Sequence, residues 1–212
     1  STLRISSAAS DVYKRQILIF MTNNNIYFIA NWKMFGSVKS VNSLNNVISY
    51  SKKNKHKAKI VYCPPYTLLK SFVDKTKNSN IEIGAQDCHI NSEYGPYTGA
   101  ISSKMIKDLG AKFVIIGHSE TRKENDNKKI NLKIKSALNK KLNVIFCIGE
   151  KLIDKKKNKT KFVLKKQLIE GLKNLNKLNK VIIAYEPVWS IGTGIIPSEN
   201  NLIKNIKFIK DT

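Results

Sequence analysis

Six short runs of apolar, mostly β-branched residues recur along this chain, and helical patterns separate them. That alternation restricts the fold more than any other property of the sequence. The runs are Ile26–Ala30, Lys59–Tyr62, Ile81–Gly84, Phe113–Ile116, Asn143–Cys147 and Val181–Tyr185. They are apolar on both faces instead of alternating, as strands buried in a parallel sheet must be. One helical stripe, Val38, Val41, Leu44, Val47 and Ile48, follows Ser37 as its N-cap. A short helix with Met105, Ile106 and Leu109 follows Ser102 and stops before Gly110. Two further stripes are Ile130, Ile134, Ala137 and Leu138, then Leu164, Leu168, Leu172 and Leu175; a last helix starts near Pro197-Ser198-Glu199. Strand-then-helix repetition predicts an α/β fold with a parallel sheet.

This pattern alone fits either a doubly wound sheet or a closed (β/α)8 barrel. No Gly-x-Gly-x-x-Gly follows the first strand, which weighs against a dinucleotide-binding sheet. Polar residues instead fall at the C-terminal ends of several different strands, where barrel enzymes place their chemistry.

Bulk properties exclude other classes. No apolar run approaches the ~18 residues of a membrane span, and Ile17–Phe20 is too short for the roughly 7–15-residue core of a signal peptide. The expectation is a soluble, cytoplasmic protein. Cys63, Cys88 and Cys147 are widely spaced with no Cys-x-x-Cys pair, which argues for reduced thiols and against a disulfide framework or zinc site. His56, His89 and His118 show no ligand spacing, so no metal is expected. The formal charge of +23 invites a nucleic-acid reading. Its lysines, however, are dispersed, and the densest run, Lys155-Lys156-Lys157-Asn158-Lys159, lacks the interleaved aromatics on which bases stack. Drift toward Lys, Asn and Ile accounts for the charge, which can still steer anionic substrates.

Three runs at strand ends carry the chemistry. Glu186-Pro187-Val188-Trp189-Ser190-Ile191-Gly192-Thr193-Gly194 follows the sixth strand. It places an acid on a strand end, then a rigid Pro/Trp segment and a Gly/Thr/Gly hinge. A carboxylate that takes a proton from carbon needs such a fixed position and a loop that closes over it to exclude water. Gly117-His118-Ser119-Glu120-Thr121-Arg122 follows the fourth strand, and Asn31-Trp32-Lys33-Met34 follows the first. Taken singly, each residue has an ordinary reading: a surface acid, a core histidine, a solvated lysine. Together, the three runs resemble the triosephosphate isomerase family, over nearly the whole chain from Ile26 onward.

The resemblance implies a (β/α)8 barrel and a cofactor-free isomerase that interconverts glycerone phosphate and D-glyceraldehyde 3-phosphate through an enediolate. It makes Glu186 the base, His118 the electrophile and Lys33 the cation near phosphate and oxyanion. Asn31 and Gly192 would contact substrate, Glu120 would hold Lys33, and Ser119 would meet Glu186 while the loop is open. Desolvation is expected to raise the basicity of Glu186. A helix beginning at Ser119-Glu120 is expected to keep His118 neutral through its N-terminal dipole. The run Gly95-Pro96-Tyr97-Thr98-Gly99 resembles the family's third loop, which inserts into a partner subunit, so a homodimer is implied with Thr98 approaching the partner's site. Phe35, Ala100 and Ile195 depart from the family pattern, which usually has Asn, Glu and Lys there.

Two expectations concern extent. Residues 1–20 are Ser/Ala-rich at their start and lack periodicity, and they read as a non-native or disordered extension, leaving 21–212 as the domain. A full barrel runs to about 250 residues, so the chain is expected to be a fragment with about six of eight β/α units and bare edges at Ile26–Ala30 and Val181–Tyr185. The alternatives to an active isomerase are a catalytically inactive barrel fragment and, with less support, a basic nucleic-acid-binding protein.

Overall fold

The computed structural model describes residues 16–22, 25–53 and 58–212. His56 and the first fifteen residues of the proposed extension lie outside the described residues. One seven-stranded sheet runs in chain order: β1 (Gln16–Thr22), β2 (Asn25–Asn31), β3 (Ala58–Cys63), β4 (Ile81–Ala85), β5 (Phe113–Ile116), β6 (Asn143–Ile148) and β7 (Val181–Tyr185). β2 to β7 are the six expected strands, and every neighbouring pair among them is parallel. They form an incomplete (β/α)8 barrel.

β1 was not expected as a strand. It pairs antiparallel with β2 over its whole length, from Gln16 opposite Asn31 to Thr22 opposite Asn25. The edge of Ile26–Ala30, expected bare, is therefore covered. Unpaired strand edges offer rows of N–H and C=O groups, and an apolar segment only two residues upstream can satisfy them without a long connection.

Two apolar layers flank the parallel strands. Residues of one parity fill the barrel interior: Ile29, Val61, Cys63, Phe113, Ile115, Ile145, Cys147 and Ala184, with Tyr27 and Ile182 against them. Residues of the other parity, such as Ile83, Val114, Ile116, Val144, Phe146 and Ile148, pack against the helices. This explains why the strands read as continuous apolar runs. Burying each such aliphatic side chain contributes about 1.5–3 kcal/mol.

The helices are α1 (Leu44–Lys53), α2 (Tyr66–Thr76), α3 (Ser103–Asp108), α4 (Asn127–Asn139), α5 (Leu152–Lys156), α6 (Thr160–Gly171) and α7 (Glu199–Lys210). The Val38 stripe divides, because Val38–Ser43 is a 3-10 turn that leads into α1. Ser102 caps α3 by accepting from the Met105 N–H at 3.2 Å. α6 ends at Gly171, so Leu175 lies beyond it and packs on the core from the following loop. Among the described residues no helix is long and apolar enough to cross a membrane.

Candidate active site

Strand parity delivers three groups to the C-terminal mouth. Asn31 continues the inward series of Tyr27 and Ile29, Cys147 that of Ile145, and Glu186 that of Ile182 and Ala184. Asn31 and Glu186 are buried. Glu186 is anchored through its backbone, its N–H donating to the Ile148 carbonyl at 2.8 Å.

The carboxylate of Glu186 is only half satisfied. Its Oε1 accepts from the Cys147 thiol at 3.2 Å. Its Oε2 is buried without a hydrogen-bond partner and stands 3.6 Å from His118 Nε2. A buried carboxylate short of donors is stabilised in its neutral form, and desolvation pushes Glu186 up to about 7. Desolvation also pushes His118 down, to about 4. At neutral pH the contact is therefore a neutral imidazole beside a partly ionised acid, not an ion pair.

The ring of His118 is oriented from its other side. Nδ1 accepts from the Glu120 backbone N–H at 3.3 Å, and an N–H can only donate, so the lone pair sits at Nδ1 and the hydrogen at Nε2. Glu120 Oε2 is also 3.3 Å from Nδ1, but that carboxylate is mostly exposed and engaged with Lys33, so the backbone bond dictates the tautomer. No helix begins at Ser119, contrary to expectation. Thr121 and Arg122 donate to the His118 carbonyl in a single turn, and the next helix, α4, begins only at Asn127 under an Asp126 cap. The polar stretch from Lys123 to Asp126 ends the turn. Burial, not a helix dipole, is the main cause of the neutral histidine.

Lys33 has a left-handed backbone, φ 51°, which costs a non-glycine residue about 1–2 kcal/mol. Three bonds hold it there. Its N–H donates to Asn31 Oδ1 at 2.9 Å, its carbonyl accepts from Gln86 Nε2 at 2.8 Å, and its Nζ meets Glu120 Oε1 at 3.0 Å. The Lys33 ammonium is mostly buried and lies near enough to Glu186 to favour its charged form.

The loop after Glu186 folds as a 3-10 turn, Val188–Ser190. Trp189 is buried and donates Nε1–H to Glu150 Oε1 at 2.7 Å, and the Tyr185 hydroxyl donates to Glu150 Oε2 at 3.1 Å. Gly192 and Gly194 have positive φ and open space around them, as a hinge requires. Gly192 is exposed, as are Thr98 and the rest of Gly95–Gly99. In this arrangement the Ser119 hydroxyl is not a partner of Glu186 among the described residues.

Sequence reading missed the supports of the site: Cys147, Gln86 as a bond donor, Glu150, and Arg122, whose guanidinium donates to the Cys147 carbonyl at 2.9 Å. Strand parity could have found Cys147. The others need three-dimensional contacts. Among the described residues no cluster of three or more His, Cys, Asp or Glu could hold a metal ion.

Comparisons with known proteins agree with this geometry. The family profile described as triosephosphate isomerase matches residues 26–212. The triosephosphate isomerase of Dictyoglomus thermophilum is 46% identical over 169 residues, covering 78% of this chain and 68% of that protein. That of Wolbachia pipientis wMel is 41% identical over 186 residues, covering 86% and 72%. The crystal structure of triosephosphate isomerase from Bartonella henselae superposes with a TM-score of 0.78 at 34% identity, covering 87% of this chain and 74% of that one. A barrel with an acid, a neutral histidine and a lysine at its mouth, matched over most of its length, places the chain in the triosephosphate isomerase family, with isomerisation of triose phosphates as its function.

Proposed function

We propose that Glu186 is the base of this isomerisation, with His118 and Lys33 as the groups that receive the developing negative charge. The buried, partnerless Oε2 of Glu186 facing His118 Nε2 carries this reading. Glu186 takes a proton from the carbon beside the substrate carbonyl. The C–H electron pair becomes the C=C bond of the enediolate, and the carbonyl π pair moves to oxygen. His118 Nε2–H donates to that oxygen, and the Lys33 ammonium lowers its potential. The hydroxyl proton on the neighbouring oxygen must also change places, and His118 relays it: Nε2 gives its hydrogen to the new oxyanion and takes the hydroxyl proton in exchange. Glu186 then returns its proton to the adjacent carbon. The C=C pair forms that C–H bond, the freed oxygen pair closes the new C=O, and Glu186 is left ionised. Fixed donors aimed at developing charge in a dry site are worth several kcal/mol.

Asn31 serves by holding Lys33, and Glu120 by holding both Lys33 and His118. Gly192 is assigned to the phosphate through its N–H once the loop closes. The exposed Gly95–Gly99 loop, with Tyr97 half exposed, and the exposed Met34 and Val38 support a homodimer in which Thr98 approaches the partner's site. Sedimentation velocity tests that assignment; a monomer at micromolar concentration sinks it.

The kinetic test is Glu186→Asp. Shortening the side chain by one methylene retracts the carboxylate by about 1 Å, and such a misplacement costs about 10²-fold, here in kcat with KM little changed. Near-parental turnover would exclude Glu186 as the base. His118→Gln separates catalysis from packing in the same way: kcat falls by orders of magnitude while the melting temperature holds.

A further inference from the structure

Lys155 lies on α5, away from the groups assigned to the reaction, yet its ammonium sits 3.2 Å from the centroid of the Trp189 ring. The edge of the same indole donates to Glu150 Oε1 at 2.7 Å. Glu150 and Lys155 both belong to the segment that leaves β6, so one short stretch of chain grips one ring twice: a carboxylate on its N–H edge and a cation on its face. Among the described residues no ion pair joins Lys155 directly to Glu150; each meets the indole separately, one at its edge and one on its face. A carboxylate accepting the indole N–H pushes electron density into the ring, which strengthens the attraction of a cation over the face.

The gripped ring is three residues from Glu186. Pro187 between them has its φ fixed near −57°, and the Val188 N–H donates to the Glu150 carbonyl at 3.1 Å. Motion of the ring therefore passes to the carboxylate with little slack. At the exposed end of the same loop Gly192 and Gly194 have open space around them, and the Thr193 hydroxyl between them donates back to the Trp189 carbonyl at 3.0 Å.

We infer that Lys155 is a positioning residue: its ammonium on the Trp189 face clamps the Val188–Ser190 turn at the start of the 186–194 loop and holds Glu186 directed at His118. This inference rests on Glu186 as the base. A cation over a partly desolvated aromatic face is worth a few-fold to a few tens-fold in an equilibrium. Losing it shifts the loop away from the arrangement seen here.

The test compares parent, Lys155→Met, Lys155→Gln and Lys155→Arg, each labelled with 5-fluorotryptophan and read by 19F NMR. The chain has two tryptophans, Trp32 and Trp189, and Trp189→Phe assigns the signals. Met and Gln cover the ring at similar volume without charge, so packing is held while the cation is removed. Expected are a shifted or exchange-broadened Trp189 signal, an unmoved Trp32 signal, and a roughly 3- to 30-fold drop in kcat/KM in both neutral variants. Lys155→Arg restores both readouts, and melting temperatures change little because loop opening is local. An unmoved Trp189 signal in both neutral variants overturns the clamp. A moved signal with parental kcat/KM overturns the positioning role. A parent enzyme whose turnover survives Glu186→Asp overturns the base assignment instead, and the Trp189 signal still decides the clamp.

Discussion

The side-chain amide of Gln167 pairs with both backbone polar groups of Gly149. It accepts from the Gly149 N–H at 2.9 Å and donates to the Gly149 carbonyl at 3.0 Å. The pair is buried and joins α6 to the turn after β6, the turn against which the backbone of Glu186 rests. Replacing Gln167 by Leu leaves two buried backbone groups unpaired, each costing about 1–3 kcal/mol. The expected loss is on the order of 3 kcal/mol in urea unfolding, with a fall in kcat as the Gly149 turn shifts. A stability change within 0.5 kcal/mol, the range of neutral surface changes, would show that water replaces the amide.

Gly149 has no room for a side chain. A Cβ there would lie 1.8 Å from the Glu186 carbonyl oxygen and 2.7 Å from its carbon. Backbone atoms cannot swing aside as a flexible side chain does, so Gly149→Ala must displace Glu186 itself. At about 10²-fold per ångström of misplacement, kcat is expected to fall at least that far in protein that still folds. A crystal structure of the variant with Glu186 unmoved would refute this.

The raised pKa of Glu186 gives a pH signature in activity. The base is active when ionised, so kcat/KM should rise with pH through a limb at about 7. His118, held down to about 4, stays neutral over the same range and adds no second limb above it. A profile flat from pH 5 to 9 would contradict the desolvated carboxylate.

The same shift has a stability consequence of opposite sense. Glu186 titrates at about 7 in the fold against its ordinary value of 4.5. Its neutral form is the one the fold favours, so stability is full below pH 4.5 and is lost as pH rises through 7. The ionised acid costs the fold on the order of 3 kcal/mol at pH 8. Glu186→Gln removes that loss, so its stability relative to the parent should improve by about this amount between pH 5 and pH 8. Urea midpoints at the two pH values measure it, and an unchanged difference would count against the buried, half-partnered carboxylate.

Strand β1 protects the edge of β2 along its whole length. Deleting residues 1–22 should therefore expose an apolar parallel edge and promote association. Light scattering at micromolar concentration is expected to show aggregates in the shortened chain and fewer in the parent. Equal scattering from both would mean that the pairing contributes nothing to solubility.

Reading along the chain was enough for the α/β class, for six of the seven strands among the described residues and for the three runs at the mouth. These are local properties. Two-sided burial forces continuous apolar runs such as Phe113–Ile116, and a strand end followed by a turn places Glu186 and His118 on one rim. What surrounds them depends on the packed fold. The neutrality of His118 was read from sequence as a helix effect, but the chain makes a single turn there and burial does most of the work. Cys147 against Glu186, Gln167 against Gly149, and Lys155 over Trp189 join residues 39, 18 and 34 positions apart. β1 was also invisible, because an edge strand is specified by the partner edge it covers as much as by its own residues. Desolvation and long-range pairing depend on which elements meet, and periodicity along one chain carries no record of that.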